Sequence, residues 1–165
     1  MSSNDKMREA LKIGIIAHLR KVGFKGSLPH FRRVHDCGID LICFQFHLWM
    51  ERTRLAVEYG YTGHFQSWQC DPESQRTVTE KNVTVWDLDY PNYRGRLNPS
   101  NLLGEPCYAD YWFEFEEGHY AECDAEIREA FPIAELWFKR MRENPANKDI
   151  GFTGTLSLMQ RGLMK

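Results

Sequence analysis

The stretch from Ile39 to Tyr61 constrains the fold of this chain most, because it predicts a β-hairpin with two chemically different faces. If residues 50–53 form the loop, Trp49 lies opposite Arg54. One face then carries the pairs Ile42–Tyr61, Phe44–Tyr59, Phe46–Val57 and Leu48–Leu55. The other face carries Cys43–Gly60, Gln45–Glu58, His47–Ala56 and Trp49–Arg54. A slip of one residue would mix the two sets, so burial of the apolar face favours this register.

Composition indicates one folded domain over residues 1–165, since the chain is 42% hydrophobic and 13% aromatic. A domain of this size buries roughly 70% of its unfolded surface without metals or disulfides. The five cysteines are scattered and show no CxxC spacing, which disfavours a disulfide framework or a cysteine-rich zinc site. No apolar run approaches the roughly 20 residues that span a bilayer. Because the first residues also lack the apolar core of a secretory signal, we expect a cytoplasmic protein without membrane contact.

The order of patterns along the chain predicts the fold class. Residues 4–22 carry an apolar stripe at helical spacing, and Gly23 suits the left-handed position that ends a helix. A second apolar stripe predicts helix from Ile127 to Met141, where Pro132 indicates either a kink or the start of a second helix. Strands are expected at 30–35, 39–49, 54–61, 83–90 and 110–116, with a three-residue turn at 36–38, a polar excursion at 62–82 and an ambiguous tail at 150–165. We therefore predict an α+β fold: an antiparallel meander sheet of about five strands, with an N-terminal helix and C-terminal helices packed on one face.

Charge is unevenly distributed, although the net charge is only −2. Eight Lys or Arg and one acid lie between Lys6 and His35, whereas nine acids and one base lie between Glu105 and Glu129. The acidic segment could bind a basic protein partner and the basic one an anionic partner. We favour the simpler interpretation, in which both segments keep the domain soluble or lie beside one another in the fold.

The polar face of the predicted hairpin offers a candidate pocket of Gln45, His47, Arg54 and Glu58. In the predicted register His47 lies diagonal to Glu58, and a histidine beside a carboxylate can act as a general base. No nucleophile stands at a fixed spacing from them, so the sequence offers no convincing catalytic residue. A sheet face whose polar side chains hydrogen-bond one another explains the same pattern, and we favour it.

Arg94 and Arg96 flank Gly95 and form a candidate contact for an anion. An equally good interpretation pairs them with a nearby aspartate, Asp87, Asp89 or Asp110. The histidines are irregularly spaced, so we expect no metal and no cofactor. We do not expect nucleic-acid binding, because the basic residues come without an aromatic stacking platform. We interpret the aromatic residues Trp112, Trp137 and Phe138 as core.

Five short motifs occur in order along roughly residues 7–140. They are Val22-Gly23-Phe24-Lys25, Phe31-Arg32-Arg33, Ile42-Cys43-Phe44-Gln45, Arg94-Gly95-Arg96-Leu97 and Asp110-Tyr111-Trp112. Together they resemble the family called domain of unknown function 4304, with its "GFK", its "F-x-R", its strand ending in glutamine, its Arg-Leu and its Asp-x-Trp. The chain departs from the family at His47, where members tend to carry a small hydroxyl residue. The family has no established activity, so the resemblance implies a fold and not a reaction.

From these patterns we expect a binding or interaction domain rather than an enzyme, similar to small immunity or inhibitor proteins. The acidic segment Glu105–Glu129 would then occupy a basic cleft of the partner. The alternative is a small hydrolase-like or ligand-binding enzyme that uses the polar face around His47 and Glu58. A deep pocket that holds His47 within hydrogen-bond reach of a carboxylate would favour this alternative. The sequence does not predict the oligomeric state.

Overall fold

The structure, a computed structural model, describes residues 1–49, 52–69, 76–89, 92–100 and 111–144. The tail predicted at 150–165 lies outside these ranges. The helices of the described structure are α1 (Ser3–Ile13), α2 (Ile15–Lys21) and α3 (Tyr120–Glu143). Its strands are β1 (Lys25–Ser27), β2 (His30–His35), β3 (Gly38–Trp49), β4 (Arg52–Thr62), β5 (Trp68–Gln69), β6 (Thr77–Val78), β7 (Arg94–Arg96) and β8 (Phe113–Glu114).

The main sheet confirms the predicted α+β fold, with an antiparallel meander and helices before and after it. Strands β1 to β4 pair in chain order, and both β7 and β8 pair with the edge of β4 that β3 leaves free. Strands β5 and β6 form a separate two-stranded ribbon. None of the helices in the described ranges is long and apolar enough to cross a membrane.

The central hairpin has the predicted faces but not the predicted register. Trp49 lies opposite Arg52 instead of Arg54, so residues 50–51 rather than 50–53 separate the paired strands. The apolar pairs are Ile42–Tyr59, Phe44–Val57 and Phe46–Leu55. The error is two residues, and an even shift leaves every side chain on its predicted face because alternation has a period of two. The turn before β3 is also shorter than predicted, because His35 pairs with Gly38.

The main core lies between the three helices and the inner face of the sheet, which we define as the face toward the helices. Its largest fully buried members are Met7, Leu11, Ile15, Leu19, Phe24, Phe31, Phe44, Tyr59, Tyr61, Phe113, Phe131 and Phe138. Trp137 is also buried there. Both predicted helical stripes therefore pack on the apolar face of the hairpin, as the sequence predicted.

A second core covers half of the outer face, the side of the sheet away from the helices. Its buried members are Ile39, Leu41, Cys43, Val78, Val83, Val85 and Leu88. The strand predicted at 83–90 is wrong here, because Val85–Asp87 form a 3-10 turn. The Asp87 carboxylate accepts hydrogen bonds from the amide (2.8 Å) and the hydroxyl (3.0 Å) of Thr84, which closes this turn.

The predicted helix at 4–22 is interrupted at Gly14, where α1 ends and α2 begins. Asp124 of α3 approaches this break and accepts a hydrogen bond from the Ile15 amide at 2.8 Å, so it satisfies one free amide of the α2 N-terminus. A Cβ at Gly14 would lie 1.7 Å from Asp124 Oδ2, which explains the glycine. Gly23 has φ +96° after α2, as predicted for a helix end.

Helix α3 runs unbroken through Pro132, so the prediction of a second helix starting there is wrong. Proline removes one backbone hydrogen bond and costs about 3 kcal/mol inside a helix. Pro132 is exposed, and its neighbours Phe131 and Ala134 are buried in the main core. The burial of the apolar stripe of α3 therefore outweighs the free-energy cost of proline inside the helix.

Candidate functional site

The predicted site residues all belong to the outer face. Most of them lie on the half that the second core leaves uncovered, but Arg94 lies opposite Gly60, next to Leu41 and Leu88 of the second core. His47 pairs with Arg54, and Gln45 pairs with Ala56. Glu58 pairs with Cys43 on one side and with Arg96 of β7 on the other. Arg94 lies two residues before Arg96 and therefore on the same face, opposite Gly60.

The centre of this half is an ion pair between Glu58 and Arg96. Arg96 Nη2 donates to Glu58 Oε1 at 2.7 Å, and the two side chains are 16% and 13% exposed. Trp86 Nε1 donates to the other carboxylate oxygen at 3.0 Å. Both oxygens of Glu58 are thus engaged, and Arg96 pairs with a glutamate rather than with the aspartates that the sequence suggested.

Trp112 organises the cations next to this pair. The guanidinium carbon of Arg54 lies 4.3 Å from the centre of a Trp112 ring, and that of Arg96 lies 4.8 Å away. The His47 ring lies 5.5 Å from Trp112, centre to centre. Such cation–π contacts stabilise by about 0.5–1 kcal/mol each at exposed sites. Trp112 is therefore a half-buried part of the site, and its interpretation as core is wrong.

The predicted neighbourhood of His47 and Glu58 does not form. Because the register differs by two residues, His47 lies four residues along β3 from Cys43, the partner of Glu58. Within the described part of the chain no carboxylate hydrogen-bonds to His47, and its Nδ1 is buried without a partner. Burial, with a smaller contribution from the Glu58 charge, raises the pKa of the Cys43 thiol to about 12, so this cysteine stays protonated near neutral pH.

Sequence reasoning missed Trp86 as a site residue, because it placed this residue on a strand. Trp86 is 50% exposed and its ring meets the His30 ring edge-on, 5.1 Å between centres. The apolar residues Ile39, Leu41 and Cys43 could have indicated from the sequence that another segment covers this side of β3. They show that β3 is apolar on both faces at its start, so something must cover its outer side.

Two histidines near this face have pKa values that are shifted in opposite directions. Burial lowers the pKa of His30 below 6.5. Burial alone would also lower the pKa of His64, but its hydrogen bonds to the Glu80 carboxylate and the His35 carbonyl raise it above 6.5. The contribution of His30 to stability is therefore present above the unfolded pKa and is lost as pH falls, whereas that of His64 is present below 6.5 and is lost as pH rises through its folded pKa.

NMR titration of the imidazole C–H signals measures both pKa values directly, with the variants His30→Gln and His64→Gln to assign them. The variant Glu80→Gln should lower the pKa of His64 and leave that of His30 unchanged. Equal pKa values for the two histidines in the folded protein would contradict this prediction.

The acidic segment divides into structural and exposed carboxylates. Asp124 and Glu126 are used internally, by the α2 N-terminus and by the Tyr111 hydroxyl (2.7 Å). Glu117 pairs with Lys6 of α1, so the acidic and basic segments lie beside one another, as the simpler interpretation expected. Glu117 is itself exposed, and the other exposed members are Glu114, Glu116, Glu122 and Glu129. Glu105 and Asp110 lie outside the described residues.

The described residues contain no group of three or more His, Cys, Asp or Glu side chains that could hold a metal ion. Comparison with protein-family models, with curated proteins and with solved structures gave no match. The resemblance to the family therefore stays a prediction. Three residues that carry this resemblance, Gln45, Arg96 and Trp112, lie on the same half of the outer face.

Proposed function

We propose that the chain is a cytoplasmic protein-binding domain of the inhibitor or immunity type, which binds a basic segment of its partner. The observation that carries this proposal is a surface on the uncovered half of the outer face, where two accessible tryptophans stand beside exposed carboxylates. We call it the tryptophan surface, and define it by Trp86, Arg96, Trp112, Glu114 and Glu116.

Strand β8 and the two residues after it position Glu114 and Glu116, the two carboxylates of the tryptophan surface. Trp112, Glu114 and Glu116 alternate on one side of this segment, while Phe113 and Phe115 are buried on the other. The Phe115 amide donates to the Thr53 carbonyl at 3.2 Å, so pairing with β4 continues past Glu114. The two carboxylates are therefore presented on a hydrogen-bonded edge rather than on a free loop.

Chemically, this surface suits a partner with lysine or arginine side chains. The Nε1 of Trp86 is occupied by Glu58, but its ring is half exposed and can take a cation on its face. Tryptophan and arginine are the residue types that dominate binding energy at protein interfaces. Exposed ion pairs contribute only about 0.2–1 kcal/mol each, so Glu114 and Glu116 would mainly steer and orient the partner.

The same contacts support binding rather than hydrolysis at this face. Both oxygens of Glu58 accept hydrogen bonds, one from Trp86 and one from Arg96, so Glu58 is poorly placed to take a proton from a substrate. A hydrolase of the predicted type needs His47 beside a carboxylate, and the register places Arg54 opposite His47. The hydrolase-like alternative therefore has less support than binding.

The test is affinity capture from the native host with the full chain as bait, compared with two charge-matched variants. The site variant carries Trp86→Ala, Glu114→Gln and Glu116→Gln. The control carries Glu122→Gln and Glu129→Gln, which remove the same charge from exposed positions of α3. We expect one stoichiometric basic partner with the wild type and the control, and at least about tenfold weaker binding with the site variant. No stoichiometric partner, or equal capture by the site variant, would refute the proposal.

A further inference from the structure

A groove on the helix side of the sheet is separate from the tryptophan surface. It runs between α1–α2 and the β1–β2 corner and has a volume of about 470 Å³. This volume is within the range of roughly 300–1,000 Å³ that small-molecule sites occupy. The lining residues that matter are Arg8, Lys12, Ile16, Arg20, Leu28 and Phe31.

The floor of the groove is apolar. Phe31 and Ile16 belong to the main core, and Leu28 is half-buried against it. Gly26 lies opposite Phe31 in the β1–β2 pair and has φ +121°, a conformation that favours glycine. A Cβ there would lie 2.4 Å from the His30 carbonyl oxygen. Glycine at this position therefore permits both the backbone conformation and the close approach of β1 to β2.

The charges around this floor do not cancel. Of the two acids that line the groove, Asp5 accepts the Ser2 hydroxyl in the α1 cap (2.7 Å) and Glu9 pairs with Lys12 (2.6 Å). Within the described ranges the Arg20 guanidinium donates to two backbone carbonyls, those of Phe24 and Gly26. Hydrogen bonds from Ser2 and, to a smaller extent, the nearby Arg8 charge lower the pKa of Asp5. Neither Arg8 nor Arg20 forms a salt bridge with a carboxylate in the described ranges, and three cations (Arg8, Lys12 and Arg20) face two acids (Asp5 and Glu9) in the groove.

Arg8 is the better candidate for a ligand contact. Its guanidinium carbon lies 4.3 Å from the centre of the Phe46 ring, which holds the group at one end of the groove. It forms no hydrogen bond or ion pair with another side chain in the described ranges. Arg20 belongs to α2, beyond the break at Gly14, and lines the same groove.

We propose that this groove binds a small amphipathic anion, a carboxylate with an unbranched apolar chain. Its carboxylate pairs with the Arg8 guanidinium, where a fork of two parallel hydrogen bonds is possible. Its chain lies over Ile16, Leu28 and Phe31, toward Arg20. This site is independent of the proposed protein partner, because the two surfaces lie on opposite sides of the sheet.

The experiment titrates the full chain with decanoate and follows the methyl NMR signals of Ile16 and Leu28. Ile13 is an internal control, because it is 83% exposed on the same helical layer and does not line this groove. We expect saturable shifts at Ile16 and Leu28 but not at Ile13. The variant Arg8→Gln should weaken binding about tenfold, and decanol, which lacks the charge, should bind the wild type about tenfold more weakly than decanoate.

A matched variant, Lys21→Gln, removes one charge from α2 outside the groove and should bind decanoate like the wild type. Because Arg8 packs on Phe46, thermal unfolding first checks that Arg8→Gln is folded. Ser27→Phe provides a second variant, which narrows the groove at an exposed edge position without changing charge and should also weaken binding. Equal binding of decanoate and decanol, shifts at Ile13 instead of Ile16, or unchanged binding by both groove variants would overturn the proposal. The variant of the tryptophan surface should bind decanoate normally, so failure of one proposal is distinguishable from failure of the other.

Discussion

Replacing Asp40 with asparagine should lower the free energy of unfolding by about 3–5 kcal/mol, the usual cost of removing one partner from a buried ion pair. Asp40 is fully buried, and its Oδ2 takes contacts from Arg33 (2.8 Å), His35 (2.8 Å) and Arg142. Asparagine has nearly the same shape but no charge. The guanidinium groups of Arg33 and Arg142, which are 12% and 21% exposed, would then lack the negative charge that offsets the cost of their burial.

The matched comparison is Glu135→Gln, since Glu135 also pairs with Arg33, at 3.0 and 2.8 Å, but is 30% exposed. This change should cost clearly less than Asp40→Asn, because water can solvate Glu135 and because Arg33 keeps Asp40 as a partner. Urea unfolding at neutral pH, monitored by circular dichroism, measures both free energies. An Asp40→Asn cost no greater than that of Glu135→Gln would show that the Asp40 cluster is not a stability centre.

This cluster matters for the fold because it joins three elements that are distant in sequence. Arg33 belongs to β2, Asp40 to β3, and Arg142 to the last turn of α3. Arg33 also donates to the Val22 carbonyl at the end of α2. Breaking the Asp40 contacts would therefore weaken the packing of α2 and α3 on the sheet.

Gly14→Ala should cost about 3 kcal/mol or more, the second large effect that we expect. The added Cβ would lie 1.7 Å from Asp124 Oδ2, so either α2 or Asp124 must move. Overpacking costs about 1–3 kcal/mol. Displacing Asp124, which is 3% exposed, from the Ile15 amide and from Arg128 adds roughly 1–3 kcal/mol for lost buried hydrogen bonds.

A double-mutant cycle isolates the cause. Asp124→Ala removes the carboxylate that collides with the new methyl group, so Gly14→Ala should cost less in that background than alone. A coupling free energy of about 1 kcal/mol or more, measured by chemical denaturation, is expected for residues in direct contact. Purely additive effects would mean that Gly14 is needed for its backbone conformation and not for the approach of Asp124.

Part of the candidate site was predictable from the sequence, because alternation along a strand assigns side chains to faces. Gln45, His47, Arg54 and Glu58 were placed together on the polar face, and the structure has them there. Their mutual contacts were not predictable, because a two-residue difference in register changes every neighbour without changing any face. Arg96 could not be paired with Glu58 from the sequence either, because β7 reaches β4 through a long connection with no local signal.

The covering of the outer face also depended on tertiary structure. Residues 86–90 alternate apolar and polar side chains like a strand, yet Val85–Asp87 form a 3-10 turn. The buried residues of this region, Val83, Val85 and Leu88, pack with Ile39 and Leu41 in the second core. The short alternating pattern did not predict burial either, because Trp86 is 50% exposed whereas the Asp87 side chain is 4% exposed.

Periodic patterns alone were therefore enough for the α+β class, the two helical stripes and the sidedness of the central hairpin, because each follows from burial of one face of a regular element. Register, the break at Gly14 and the passage of α3 through Pro132 were decided by contacts between distant residues. The Ile15 amide finds its acceptor 109 residues away, in Asp124. Local pattern carries no information about such a contact, and the tryptophan surface, assembled from Trp86, Arg96 and Trp112, exists for the same reason only in the folded chain.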